Sequence, residues 1–385
     1  MRIVDANFIF DENLQTEAEQ LKQHYTVVGW AEALQQKGAE IIVVKRFSRE
    51  TILEENGVVY HFIKDEFPGH LKAWQIPLRF LQMVASLHPD VVHIHGLSFS
   101  LQTFVLRKLL NKNVAIVVQH HGGPPIKGIR KHLHDLFNSV VDGFFFTTAE
   151  QGAQWFKSKK VKILPVMEGA TFFDYENRHK NRNGCAENRE HFRNKTGITG
   201  SPGFLWVGRL DNNKDPLTVL SGFQILIGRH PQAMLYVVYN DEQLLEVIRK
   251  KVSNSDVLKD RVKLLGKIAH EDLEQFYYSA DYFVLGSHYE GSGYALTEAL
   301  SCGCVPIVTD IPSFRMMTNN GQLGALWEAG NSDSFVKAAD YALSKPIDKQ
   351  RKECAEFFEK NLSFDAIAGL ALGHYQNLIH NRINR

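Results

Sequence analysis

Short, unbroken apolar runs recur along the chain, and between them the apolar residues spread out to helical spacing. Ile41–Val44 follows a helical stretch closed by Gly38, a second run extends from Pro89 to His95, and Val114–Val118 and Gly143–Phe146 continue the series. Runs of this length, apolar at successive rather than alternate positions, are predicted as strands buried on both faces of a parallel sheet. The pattern breaks after Pro165. From Asn177 to Gly203 the chain is rich in Asn, Gly, Arg and Lys and almost free of large aliphatic residues, which reads as an exposed connection carrying at most a polar helix. A second series then begins with Phe204–Val207, Met234–Val238, Val262–Leu265, Tyr282–Leu285 and Val305–Val308, and helical spacing covers Pro216–Gly228 and Glu271–Ala280. The predicted fold class is α/β, with two Rossmann-like parallel-sheet domains over 1–172 and 201–362 joined by a connection at 173–200. Residues 363–385 form an amphipathic helix, with Ile367, Leu370, Ala371, Leu378 and Ile379 at helical spacing.

A chain of 385 residues is long enough for two separate cores. With 44% hydrophobic and 23% charged residues, a disordered or fibrous chain is excluded. Forty-four Lys and Arg against 43 Asp and Glu give a net charge of +1, which offers no overall attraction for nucleic acid. The longest stretch without Asp, Glu, Lys or Arg, Val91–Leu106, is interrupted by His93, His95, Gln102 and hydroxyl residues, so no spanning helix is expected. Met1-Arg2 soon meets Asp5, Asp11 and Glu12, unlike the apolar core of a signal peptide. Cys185, Cys302, Cys304 and Cys354 contain no CxxC pair and read as free thiols in a reducing cytoplasm.

In open parallel sheets, ligands bind beyond the carboxyl ends of the strands, so the residues just after each apolar run are the informative ones. After Val207 come Gly208, Arg209 and Lys214, then Pro216 opening a helix. Two cations beside a helix start suit a diphosphate, although a solvated loop would look the same in isolation. After Leu285 comes a longer loop with Glu290, Gly291, Ser292, Gly293 and Tyr294, followed by a helix carrying Glu298 among Ala295, Leu296, Ala299 and Leu300. Glycines at a helix start expose backbone N–H groups to an anionic or polyhydroxyl ligand. A carboxylate in so apolar a segment needs donors, and sugar hydroxyls would serve. Neither a full dinucleotide fingerprint nor a Walker-A loop is present.

The segment from Glu290 to Glu298, continuing through Cys302-Gly-Cys-Val-Pro-Ile-Val-Thr-Asp310, resembles the E-x7-E donor-site block of GT-B glycosyltransferases of the retaining family-4 (group 1) type. Gly208-Arg209-Leu210 with Lys214 resembles the matching GRL-x3-K loop of that family, and the likeness extends over roughly Phe204 to Gly330. The resemblance implies that Arg209 and Lys214 hold a leaving nucleotide diphosphate, that Glu298 accepts hydrogen bonds from the ribose, and that Glu290 lies near the donor sugar. Gly208 and the backbone of Gly291–Tyr294 would complete the donor site. Ser292 departs from the aromatic residue usual there.

The first half is histidine-rich and locally basic. No acidic residue lies between Asp90 and Asp135, an interval with Arg107, Lys108, Lys112, Lys127, Arg130 and Lys131, and a second cluster follows at Lys157, Lys159, Lys160 and Lys162. Such clusters are most often simply solvated, but they would also attract a phosphorylated acceptor or an anionic membrane face. His93 and His95 alternate at a strand end, which puts both rings on one side and, with His120 and His121, allows a zinc site as well as a plain polar strand end. The family resemblance covers Asp90–Gly96 and Val118–Gly122: His121, before Gly122, falls where the family has a histidine close to the donor sugar, with His120 as the alternative. The usual N-terminal Gly-Gly loop is replaced by Gln23–Gly29, and Glu168-Gly169 stands where Asn-Gly is common. The resemblance also implies a site in the cleft between the domains and a C-terminal helix that packs back on the first of them.

The function expected is transfer of a sugar from a nucleotide-diphosphate sugar to a hydroxyl acceptor, a carbohydrate or a lipid-linked sugar, with retained configuration. His121, Arg209, Lys214 and Glu290 are the expected catalytic group, and His93, His95, His120 and Gly122 the acceptor-side group. No cofactor or metal is expected, because two cations and a helix start can take the metal's place. The alternatives are a GT-B epimerase or phosphorylase, a non-catalytic nucleotide-sugar-binding homologue, and a metallohydrolase built on the histidines.

Overall fold

The computed structural model describes residues 1–156, 161–170 and 185–384. Lys157, Lys159 and Lys160, and 171–184, which include the first part of the expected connection, lie outside the described residues. The chain forms two compact units, Met1–Gly169 with Phe364–Arg385, and Ala170–Ser363.

In the first unit, eight strands form one sheet: β1 (Arg2–Asn7), β2 (Glu40–Arg46), β3 (Thr51–Glu55), β4 (Val58–Ile63), β5 (Val91–His95), β6 (Ala115–Gln119), β7 (Gly143–Phe146) and β8 (Ile163–Pro165). Their order is β3-β4-β2-β1-β5-β6-β7-β8. All neighbours are parallel except β3 and β4. That hairpin follows from Asn56-Gly57, whose φ values of 51° and 78° make the two-residue turn that antiparallel strands favour. The central strands are buried along their length, which is why they lack the alternation of a one-sided sheet. The winding reverses between β1 and β5, the position where doubly wound sheets hold ligands.

The C-terminal helix Phe364–Ile383 belongs to this unit and packs on the helix Tyr25–Gln36. Gly29 permits the contact, since a Cβ there would come within 2.3 Å of the Phe364 ring. Further along the helix, Tyr375 Oη lies 2.6 Å from His93 Nδ1, and Arg382 Nε donates to Asp142 Oδ1 at 2.7 Å.

Six parallel strands make the second sheet: β9 (Gly203–Val207), β10 (Met234–Val238), β11 (Val262–Gly266), β12 (Tyr282–Leu285), β13 (Val305–Thr309) and β14 (Ala325–Trp327), in the order β11-β10-β9-β12-β13-β14. Its winding reverses between β9 and β12. The helix Cys185–Thr196, from the stretch expected as a connection, is part of this unit: Arg193 donates to Asp281 Oδ2 and to the Ser279 carbonyl, and Phe192 stacks on Tyr278. Among the described residues no helix is long and apolar enough to cross a membrane.

Candidate active site

At the switch point of the second sheet, the loops after β9 and β12 are joined into one piece. Asn213 does most of the joining: its Oδ1 accepts from Tyr289 N at 3.1 Å, its Nδ2 donates to the Tyr289 carbonyl at 2.9 Å, and its own carbonyl accepts from His288 N at 2.8 Å. Gly286 allows this approach, because a Cβ there would sit 2.8 Å from the Asp215 carbonyl oxygen and 3.1 Å from that of Lys214. Asp215 adopts a left-handed backbone (φ 46°), caps the helix Pro216–Ile227 by accepting from Thr218 N, and faces His288 at 3.2 Å.

Within this joined loop, the Lys214 ammonium is ion-paired with Glu290 Oε1, which also accepts from Ser287 Oγ at 2.6 Å. Both partners are mostly buried, their side chains 14% and 11% exposed. Arg209 is different: its side chain is 57% exposed and touches Asp211 Oδ2 at 3.1 Å, leaving much of the guanidinium open to solvent. Glu298 is buried and held at both oxygens, with His270 Nε2 2.8 Å from Oε1 and Tyr277 Oη donating to Oε2 at 3.1 Å. Its donors in the chain are thus a histidine and a tyrosine, which sequence reading did not single out. Gly293 (φ 90°) turns the chain into the helix Tyr294–Ser301, and a Cβ there would press on the Phe314 ring at 2.8 Å. Ser292, next to it, is buried.

The first unit places its candidates at its own switch point, in a linear chain of four side chains. Asp5 of β1 accepts from His95 Nε2 at 2.8 Å, His95 Nδ1 lies 2.8 Å from His121 Nε2, and His121 Nδ1 is bonded to Glu168 Oε1. Each ring thus bridges a carboxylate and the other ring. Burial raises Asp5, but the neighbouring His95 outweighs it and holds the carboxyl below its usual range. Desolvation works against a charged His121, yet Glu168 wins and shifts it up.

His93, also on β5, is fully buried between Tyr375 and Gln119 Oε1 (2.9 Å), and burial pulls it down to about 3. His120 diverges from His121: its ring stacks on Phe146 with centroids 4.9 Å apart, its Nε2 lies 3.3 Å from the Gly123 carbonyl, and burial lowers it. The chain turns at Gly122 and Gly123, both with positive φ. Among the described residues no group of three or more His, Cys, Asp and Glu is arranged to hold a metal ion. The candidates therefore fall into two groups, the Arg209–Glu298 set in the second unit and the histidine chain in the first.

Two family models match this chain: Glycosyltransferase Family 4 over residues 23–156 and Glycosyl transferases group 1 over residues 188–360. The chain is a GT-B glycosyltransferase of the family-4 type. This glycosyltransferase is 28% identical over 276 residues to the GDP-mannose:cellobiosyl-diphosphopolyprenol alpha-mannosyltransferase of Xanthomonas oryzae, an alignment covering 71% of the chain and 68% of that relative. Its fold matches a glycosyltransferase from Rickettsia africae with a TM-score of 0.74 at 16% identity, over 99% of each chain. It also matches a sucrose-phosphate synthase from Thermosynechococcus elongatus with a TM-score of 0.71 at 17% identity, over 99% of this chain and 100% of that one. The glycosyltransferase residues that sequence reading missed, Asp5, Asn213, His270, Tyr277 and Ser287, carry no local signal of their own, because each acts through a partner distant in sequence or, for Ser287, through a common loop hydroxyl.

Proposed function

We propose that this glycosyltransferase moves a sugar from a nucleotide-diphosphate sugar to a hydroxyl of a carbohydrate or lipid-linked acceptor, with retained anomeric configuration, without a metal ion, and in the cytoplasm. Synthesis of a cell-surface polysaccharide or glycoconjugate is the process that suits such a reaction. The joined loop at the β9–β12 switch point carries the reading: it gathers Arg209, Lys214, Glu290 and the start of the Glu298 helix on one end of one sheet. The name of the Xanthomonas relative, with its nucleotide sugar and diphosphopolyprenol-linked acceptor, supports the same substrate classes.

In this reading a donor diphosphate, with more negative charge than one carboxylate, draws Lys214 away from Glu290. Arg209, already open, binds the same group. Stabilisation of the leaving diphosphate by these two cations is then the largest catalytic contribution. Glu290, released from Lys214, accepts from the sugar. Glu298, oriented by His270 and Tyr277, accepts from the ribose. His121, braced by Glu168 and His95, is the first unit's candidate for the reaction centre.

The test is a panel of nucleotide sugars with and without acceptors, following nucleoside diphosphate release and the anomeric configuration of the product by NMR. Arg209→Ala should lower turnover about 10²–10³-fold with an unchanged melting temperature. Near-normal activity in that variant, an inverted product, or activity abolished by a chelator each reject a part of the proposal. Turnover without acceptor points instead to an epimerase, and a phosphate requirement to a phosphorylase. Binding without any transfer points to a binding protein.

A further inference from the structure

The connection from β4 to the helix Leu78–Ser86 leaves the carboxyl edge of the first sheet, the edge where parallel strands hold ligands. Two buried side chains fix its course. Arg46, at the end of β2, is ion-paired with Asp65 and donates to the carbonyl oxygens of Phe67 and, at 3.0 Å, of Gly69. Gln102 stands in the first turn of the helix Ser100–Leu109, which follows His95 in the chain. Its Nε2 donates to the Gln75 carbonyl at 2.8 Å and reaches that of Ala73 at 3.4 Å. The residue between those two is Trp74. Its turn is closed by Gln75 N donating to the Lys72 carbonyl at 3.0 Å and by Lys72 N donating to Gln75 Oε1 at 2.7 Å.

Trp74 is 71% exposed, whereas the chain's other tryptophans, Trp30, Trp155, Trp206 and Trp327, are all buried. The Lys72 ammonium lies over the Trp74 ring, 5.6 Å from its centroid, and much of the remaining indole meets solvent. An indole is among the largest apolar surfaces a side chain offers, and a loose loop would fold it inward. A backbone held from both sides keeps it outward instead, on the sheet edge that also carries His95 and His121.

We propose that Trp74 is the platform on which a sugar ring of the acceptor stacks, so that this residue selects the acceptor; the inference rests on the reading of the acceptor as a carbohydrate or lipid-linked sugar. A pyranose carries C–H groups on its faces and hydroxyls around its rim. One face can therefore be buried on an indole while the rim keeps its hydrogen bonds to water and to polar neighbours. Because the turn holds the ring in place before the sugar arrives, little ordering cost remains to be met on binding. A lipid surface fits less well, since it needs a contiguous apolar face, and Glu66, His70, Lys72 and Arg79 are all exposed close to Trp74 in the chain. Gln102 is the positioning residue of this arrangement, acting through the backbone on either side of Trp74.

The test uses the full chain's own fluorescence. Acrylamide should quench a fraction of the tryptophan emission that Trp74→Phe removes, because the other four indoles are buried. Cellobiose, maltose, lactose and mannobiose, added one at a time, should include at least one that shields this fraction. Calorimetry should then show that sugar bound about tenfold or more weakly by Trp74→Ala, and less weakened by Trp74→Phe. Unchanged quenching in all four sugars overturns the proposal, as does an affinity in Trp74→Ala within about twofold of wild type. Shielding by vesicles of phosphatidylglycerol and phosphatidylcholine, with none by the sugars, assigns the ring to a lipid surface and overturns it too. Titration of the wild type with nucleoside diphosphates separates this inference from the reading beneath it. If none of them binds, the donor reading fails; if one binds while Trp74 stays unshielded by sugars, only the platform fails.

Discussion

Lys214→Met removes one of the two cations assigned to the leaving diphosphate and leaves the rest of the loop in place. Two unit charges about 4 Å apart interact by about 4 kcal/mol at an effective dielectric of about 20, the range suited to groups near a protein surface. The net effect is smaller, because Lys214 exchanges one anion for another when it turns from Glu290 to a phosphate. A loss of about 2.7–4 kcal/mol, or about 10²–10³ in kcat, is what removal of one hydrogen-bond donor to a developing negative charge costs elsewhere. The substitution also takes the cationic partner from the mostly buried Glu290, so the fold itself should weaken. The assay therefore pairs single-turnover sugar transfer at saturating donor with urea unfolding. Adding Glu290→Gln should restore stability without restoring transfer, which separates the chemical role from the structural one. Transfer within about fivefold of wild type in Lys214→Met, or recovery of transfer in the double variant, would refute the role given to Lys214; the threshold lies well below the about 10²-fold loss expected.

Other outcomes follow from the same geometry. Glu290→Gln alone frees Lys214, so calorimetry should show tighter binding of nucleoside diphosphate while kcat falls. Gly286→Ala puts a methyl group 2.8 Å from the Asp215 carbonyl and should part the two loops, costing about 1–3 kcal/mol in urea unfolding and most of the donor affinity. Gly29→Ala drives a methyl group into the Phe364 ring and should lower the melting temperature, with partial rescue by Phe364→Leu. His93 protonates near pH 6.5 when unfolded but only near 3 when folded, so the unfolded chain binds more protons in that window. Stability should therefore fall as pH drops from 6.5 to 3, by up to about 1.4 kcal/mol per unit from this residue, and His93→Gln should flatten that limb of a urea-midpoint profile.

Strands β2, β5, β6 and β7 of the first sheet and β9 to β13 of the second were legible because parallel strands buried on two faces announce themselves as continuous apolar runs, whereas β1, β8 and β14 were not read from the sequence. The donor-side loops were legible because Arg209, Lys214, Glu290 and Glu298 follow such runs at characteristic spacings. What stayed hidden is pairing. Asp5 reads as a charge near the chain's start, and only its alignment beside β5 makes it the anchor of His95, ninety residues on. Glu298 looked short of donors until the helix His270–Ser279 brought up His270 and Tyr277. The Lys214–Glu290 ion pair was equally invisible, because two residues assigned separate ligand contacts hold each other instead. The β3–β4 hairpin escaped notice for a different reason: Thr51–Glu55 is a half-exposed edge strand with little apolar content.

The second unit is an insertion in the first. The chain leaves the first unit at Gly169 and re-enters it at Phe364, and a Cβ at Gly169 would collide with both Phe364 and Ile367. On the other side of the same crossing, Ala170 and Ser363 pair as a parallel bridge. The two cut points are therefore neighbours in space, so a gene in which a few glycines replace residues 170–363 should encode the first unit whole, with its C-terminal helix in place. A simple truncation after Gly169 would not, since it discards Tyr375 from His93 and Arg382 from Asp142. The same adjacency makes the second unit a portable cassette: its ends are already close enough to be spliced into another host loop.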